Sequence, residues 1–136
     1  LGSREDTPRY YAAADIFVHP SFYDPSALVV LEAMASGLPA ITTTFCGTSE
    51  IITQGKEGFV VETPRDIFVL VEMIRRLADP GLRKAMGAAA RRRAEEFPYR
   101  RNMQEILEIY DECFGHRGRS AVGVLPLPGP SVPGTA

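Results

Sequence analysis

Tyr23-Asp24-Pro25-Ser26-Ala27-Leu28-Val29-Val30-Leu31-Glu32-Ala33-Met34-Ala35-Ser36-Gly37 reads as one helix with both ends marked. Asp24 suits an N-cap, and Pro25 fits the first helical position, where a missing N–H costs nothing. Gly37 can take the left-handed conformation just past the end, and Pro39 blocks continuation. Nearly every side chain between these marks is apolar, so burial on all sides is expected. Glu32 alone breaks the pattern, and a carboxylate on a buried helix is costly unless something pairs with it.

Helix geometry suggests what Glu32 faces. At ~1.5 Å per residue, Ser26 to Glu32 spans roughly 9 Å of axis. Helical side chains tilt toward the N-terminus, so Glu32 reaches back toward the capping loop. There the free N–H groups of Ser26, Ala27 and Leu28 form an anion site reinforced by the helix dipole. A nucleoside diphosphate, with its phosphates at the tip and a hydroxyl-bearing ring beside the first turns, has the matching shape.

The flanking sequence supplies short strands. Asp15 to His19 carries Ile16, Phe17 and Val18 in a row, and Pro20 ends it. Leu38 to Thr43 and Phe59 to Val61 are the next two, separated by the turn Phe45-Cys46-Gly47, a helical turn capped by Thr48 and running through Ile52, and the turn cluster Gln54 to Gly58. Thr7-Pro8 opens a short helix to Ala13, with Thr7 as its cap. Short strands alternating with helices predict an α/β fold, a Rossmann-like parallel sheet flanked by helices. Ligands bind such sheets at the carboxyl ends of the strands, where the loop from His19 to Ser26 and the turn from Thr44 to Gly47 both fall.

From Asp66 onward the pattern is helical. Ile67, Leu70, Val71, Ile74 and Leu77 recur at helical spacing until Asp79-Pro80; Gly81 to Phe97 follows, carrying Arg91, Arg92 and Arg93 as a solvated face; Pro98 breaks it. Asn102 to Phe114 is a last helix with Met103, Ile106, Leu107 and Tyr110 as its stripe. Residues 115–136 are Gly, Pro and Ser-rich without periodicity, and a disordered tail is expected there, leaving one domain over 1–114.

Composition narrows the class of function. The 136 residues carry a net charge of −2, which implies no general pull toward nucleic acid or anionic membrane. No apolar run approaches the ~20 residues of a membrane span. Two cysteines, Cys46 and Cys113, lack metal-ligand spacing and fit reduced thiols in a cytoplasmic protein. The opening Leu1-Gly2-Ser3, without Met or signal peptide, is expected of a piece of a longer protein.

The run Ala14-Asp15-Ile16-Phe17-Val18-His19-Pro20-Ser21, then Asp24-x7-Glu32-Ala33-Met34-Ala35-Ser36-Gly37-Leu38-Pro39, resembles the donor-site signature of retaining family-4 (group 1) glycosyltransferases, which have the two-domain GT-B fold. The resemblance covers residues 1 to about 114 and continues through Thr42 to Ile52 and Gly58 to Val61. Its Thr-x-x-Cys-Gly segment is most similar to lipopolysaccharide-core glucosyltransferases. It implies the C-terminal, donor-binding half of such an enzyme, with its first strands missing. Glu32 would hold the ribose hydroxyls. The backbone amides of Ala27, Leu28 and Val29, next to Ser26, would hold the diphosphate. Asp24 would contact the donor sugar from the place where the family usually has Glu. Asp is shorter by about 1.5 Å of reach, and Pro25 replaces a residue that would normally carry an N–H.

The resemblance implies no cofactor or metal. The donor would be a UDP-, GDP- or ADP-sugar, and the acceptor a glycan or lipid-linked glycan held by a domain outside this chain. Any peripheral membrane contact would come through that missing half, at the inner face of the membrane. His19, Cys46 and Gly47 line the cleft rim. Packing and a loop hydrogen bond are expected of His19, a positive φ and close backbone approach of Gly47, and a helix-cap role for Ser49 and Glu50. The expected function is hexosyl transfer from a nucleoside-diphosphate sugar with retention of configuration, the isolated chain being inactive. Its rivals are a catalytically inactive nucleotide-sugar-binding or scaffold module, favoured by the Asp24 and Pro25 departures, and a nucleotide-sugar epimerase of related fold.

Overall fold

A computed structural model describes residues 6–114; the tail expected at 115–136 lies outside them. The chain divides after Tyr99 into two compact units, a boundary that falls inside the domain expected over 1–114. The first unit contains α1 (Thr7–Ala13), β1 (Phe17–His19), α2 (Leu28–Ala35), β2 (Ala40–Thr43), a 3₁₀ turn (Gly47–Ile51), β3 (Gly58–Val61), α3 (Ile67–Arg76) and α4 (Pro80–Glu95). The second begins within α5 (Tyr99–Phe114), whose stripe of Met103, Ile106, Leu107 and Tyr110 is exposed.

The three strands form a parallel sheet in the order β1-β2-β3, with Phe17 opposite Ala40 and Ala40 opposite Gly58. Parallel neighbours need crossover connections, and α2 supplies the first. Buried Ile41, Phe59 and Val61 meet Leu77 and Met86 on one side of the sheet. Ala40 belongs to a second cluster, with Val30 and Met34 of α2 and Ala90 and Ala94 of α4.

The start of α2 differs from the expectation. The helix begins at Leu28, its N-cap is Ala27, and no side chain caps it. Asp24 is not the cap because its backbone is already paired. Asp24 N–H donates to the Phe45 carbonyl at 3.1 Å, and Gly47 N–H donates to the Asp24 carbonyl at 2.9 Å, forming a one-residue parallel bridge to Cys46. An N-cap carbonyl accepts the first backbone bond of its helix, and the Asp24 carbonyl is taken by Gly47 instead. The far end follows the sequence: Gly37 has φ +83°, its N–H donates to Met34, and Leu38 N–H donates to Ala33. These two bonds satisfy the last carbonyls of the helix.

Burial of α2 is one-sided. Val30, Ala33 and Met34 are buried, whereas Leu28, Val29 and Glu32 are exposed. An apolar sequence without periodicity does not say which face turns inward, and the expectation of a helix buried all round is corrected here. In α3 only part of the expected stripe is covered: Leu70 and Met73, with Leu77 just past the helix end, reach the core while Ile67, Val71 and Ile74 stay exposed. The basic run of α4 is corrected in one member: Arg93 is half-buried, and its Nε donates to the Ile51 carbonyl at 3.1 Å. Two Asp residues do cap helices, and Asp79-Pro80, expected as a stop, also starts α4 one residue before the expected Gly81. Asp66 accepts from Val69 N–H at 3.1 Å and Asp79 from Leu82 N–H at 2.6 Å. At α1 the cap position is Asp6, one residue before Thr7, and it makes no side-chain cap bond.

Candidate functional site

The carboxyl ends of β1 and β2 are laced together by hydroxyls. Thr42 Oγ1 donates to the His19 carbonyl at 3.1 Å, and Thr43 Oγ1 donates to the Ser21 carbonyl at 2.6 Å. Thr44 Oγ1 donates to the Glu62 carbonyl at 2.9 Å, tying in the end of β3. These β-branched residues favour a strand and also satisfy the carbonyls that leave it. The loop from His19 to Ala27 is thereby fixed over the sheet end.

Gly47 closes the other side of this loop. A Cβ added there would lie 2.0 Å from the Pro25 carbonyl oxygen, so the two backbones approach as only glycine allows. The expected close approach is present; the positive φ is not, since Gly37 and Gly55 alone have it among the described glycines. Cys46, expected on the cleft rim, is instead a buried free thiol packed in the core cluster with Ala27 and Val30, because the bridge to Asp24 turns it inward. Thr48, expected as a cap of the 3₁₀ turn, instead donates its hydroxyl to the Ala27 carbonyl at 3.1 Å, while Cys46 occupies the cap position. Ser49 and Glu50 lie within that turn, Glu50 exposed in its first turn where negative charge is favoured.

Asp24 sits at the centre of the loop with both carboxylate oxygens engaged. His19 Nε2 lies 3.1 Å from Oδ2, and Ser26 N–H donates to Oδ1 at 3.3 Å. His19 thus makes the expected loop hydrogen bond, to the residue that the resemblance places against the donor sugar.

The amides at the head of α2 divide into two sets. Ser26 N–H is taken by Asp24, and Leu28 N–H donates to the Ser26 carbonyl at 2.8 Å. Ala27 and Val29 N–H have no hydrogen-bond partner among the described residues. Of the donors expected here, Ser26 and Leu28 are therefore spent within the loop, Ala27 stays free, and Val29 joins it because the helix starts later.

Glu32 stands one turn further on, exposed rather than buried, so no desolvation penalty forces it to find a partner. It has one nevertheless. Tyr11 Oη donates to Glu32 Oε2 at 3.0 Å, with the Val29 carbonyl 3.4 Å away. Burial, reinforced by the bond to Glu32 and its charge, pushes the Tyr11 phenol up to about 12. Tyr11 was not singled out by sequence reasoning; its place between an exposed Tyr10 and a run of alanines gives no signal beyond helical periodicity. Thr43 and Thr48 were likewise invisible as loop ties.

Among the described residues, no group of His, Cys, Asp and Glu is arranged to hold a metal ion, and no helix is long and apolar enough to cross a membrane.

Known proteins resemble this chain over most of its length. The sequence profile of the family described as Glycosyl transferases group 1 matches residues 1–93. The chain is 34% identical over 113 residues to spore coat protein SA of Bacillus subtilis, covering 79% of this chain and 29% of that protein. It is 36% identical over 96 residues to lipopolysaccharide glucosyltransferase WaaG of Escherichia coli, covering 70% and 26% respectively. Among solved structures it superposes on Anabaena HepE in complex with UDP-glucose, with a TM-score of 0.74 and 28% identity, covering 82% of this chain and 31% of that one. The chain therefore spans between a quarter and a third of these relatives.

Proposed function

This chain belongs to the group 1 glycosyltransferases, and we propose that it supplies the donor half of a retaining hexosyltransferase using a nucleoside-diphosphate sugar. One observation carries the reading. The exposed Glu32 carboxylate, with one oxygen steadied by Tyr11, stands a helical turn from the unpartnered amides of Ala27 and Val29. Ribose hydroxyls donating to Glu32 and a diphosphate accepting from the helix head would satisfy both groups at once. Stabilising the leaving diphosphate by fixed donors is the main electrostatic task of such a transfer. The donor would bind without a metal ion, its charge met by amides and by basic groups outside this chain.

Asp24 would position the sugar from the loop, held in place by His19 and Ser26. The acceptor, a glycan or lipid-linked glycan, would come from a domain outside this chain, on the cytoplasmic side of a membrane. The likeness to WaaG, named as a lipopolysaccharide glucosyltransferase, supports that substrate class. A second reading, a binding module without turnover, is favoured by the engagement of both Asp24 oxygens within the loop.

Turnover decides between them. The full natural protein should transfer a hexose from UDP-, GDP- or ADP-glucose, with the product anomer read by proton NMR and matching the donor's. Asp24→Ala should lower kcat more than it raises KM. Donor binding without transfer or hydrolysis would support the inactive module, and an inverted anomer would refute retention. Residues 1–136 alone should show no turnover.

A further inference from the structure

The residue that holds Glu32 is itself part of α1, outside the segment in which the donor-site signature lies. Tyr11 is buried at 8% exposure, its ring edge-on to Phe17 at 5.9 Å between centroids and 71° between planes. Phe17 is in β1, so the tyrosine is braced against the sheet while its hydroxyl reaches α2. The hydroxyl stays protonated at any physiological pH and remains a donor. Glu32, by contrast, is exposed, and a free glutamate samples many rotamers. Glu32 Oε1 has no hydrogen-bond partner among the described residues.

We propose that Tyr11 is a positioning residue for nucleotide recognition: its hydroxyl pins one oxygen of Glu32 so that the other is presented to a ribose hydroxyl. The inference rests on the reading of Glu32 as the ribose contact. Its physical content is preorganisation. A carboxylate already held in one rotamer loses less freedom when a ligand hydroxyl binds, so the preference for ribose over deoxyribose grows. A phenol bonded to a carboxylate also fixes where the acceptor lone pairs point, which matters more for a short hydroxyl contact than for a diffuse charge.

A purely structural tyrosine makes a different prediction. Loss of its hydroxyl would then loosen the α1–α2 packing and weaken every ligand of the site alike. The ratio of affinities for a nucleotide and its 2′-deoxy form separates the two roles, because anything common to both ligands cancels.

The test uses the full natural protein, with UDP, GDP and ADP and their 2′-deoxy counterparts titrated calorimetrically into wild type, Tyr11→Phe, Glu32→Ala and the double variant. Phenylalanine keeps the ring and its contact with Phe17, and thermal unfolding checks that each variant is folded. Expected is a ribo-over-deoxy preference in wild type that falls about three- to tenfold in Tyr11→Phe. It should fall at least as far in Glu32→Ala, with no further change in the double variant. If Glu32→Ala abolishes the preference and Tyr11→Phe leaves it intact, the positioning role is overturned while the ribose contact stands. Equal weakening of ribo and deoxy forms by Tyr11→Phe also overturns it. If Glu32→Ala changes nothing, or no nucleotide binds, the ribose reading fails and the role of Tyr11 fails with it.

Discussion

Gly47→Ala probes the contact that shapes the site. The new Cβ would lie 2.0 Å from the Pro25 carbonyl oxygen and 2.9 Å from its carbon. Reaching the 3.0 Å limit for such contacts requires the backbones to part by about 1 Å. The obstructing atoms are main chain, so no rotamer change relieves them. Parting the backbones breaks the bridge bonds from Gly47 N–H to Asp24 and from Asp24 N–H to Phe45, at 2.9 and 3.1 Å. Two such bonds at about 1 kcal/mol each, with residual strain, give a destabilisation of about 2–4 kcal/mol. Urea unfolding measures it as a lower midpoint at unchanged slope. Nucleotide affinity should fall too, because Asp24 and the head of α2 hang on the same loop. Gly87→Ala is the control: its Cβ would meet the Gly37 carbonyl oxygen at 2.2 Å, on the α4 side of α2 and away from the loop. It should destabilise comparably yet leave the affinity of the folded protein unchanged. A Gly47→Ala protein within about 0.5 kcal/mol of wild type, binding nucleotide normally, would refute the argument that this close approach builds the site.

Three further outcomes rest on the same structure. Asp79→Ala removes the acceptor of Leu82 N–H at the start of α4 and should cost about 1 kcal/mol in urea unfolding; Asp24→Ala, which caps no helix, should leave the helical circular dichroism signal unchanged. Glu57 is buried, which alone would raise its pKa, but the Thr53 amide at 2.8 Å and Lys56 at 3.1 Å outweigh that and hold it below its ordinary 4.5. A carboxyl lowered by folding stabilises fully above its unfolded pKa, and that stability drains away as pH falls through the folded value. Glu57→Gln should therefore cost about 1–3 kcal/mol near pH 7 and much less near pH 3; an equal loss at both would contradict the assignment.

The parallel strands were legible because three short apolar runs are bounded by Pro20, by Gly37 to Pro39 and by the turn at Gly55 to Gly58. Helix ends were legible wherever the signal is local, as at Gly37, Asp66 and Asp79. Asp24-Pro25 carries an equally good local start signal, and it failed because a long-range pairing with Cys46 claims the same backbone. Glu32 was legible as the odd residue of its helix, yet its exposure was not, since apolar neighbours on every side conceal the direction of the core. Tyr11, Thr43 and Thr48 act across 18 or more residues. Such contacts leave no mark in local spacing, and they are the contacts that turn a recognisable motif into a placed one.

The central claim is that Glu32 and the head of α2 hold a nucleoside diphosphate. Its most direct test is calorimetric titration of UDP, GDP and ADP into the full natural protein, wild type and Glu32→Ala. The account predicts saturable binding of at least one nucleotide, weakened by about 1–3 kcal/mol in the variant through the loss of charged hydrogen bonds. Equal affinities in two demonstrably folded proteins would contradict it.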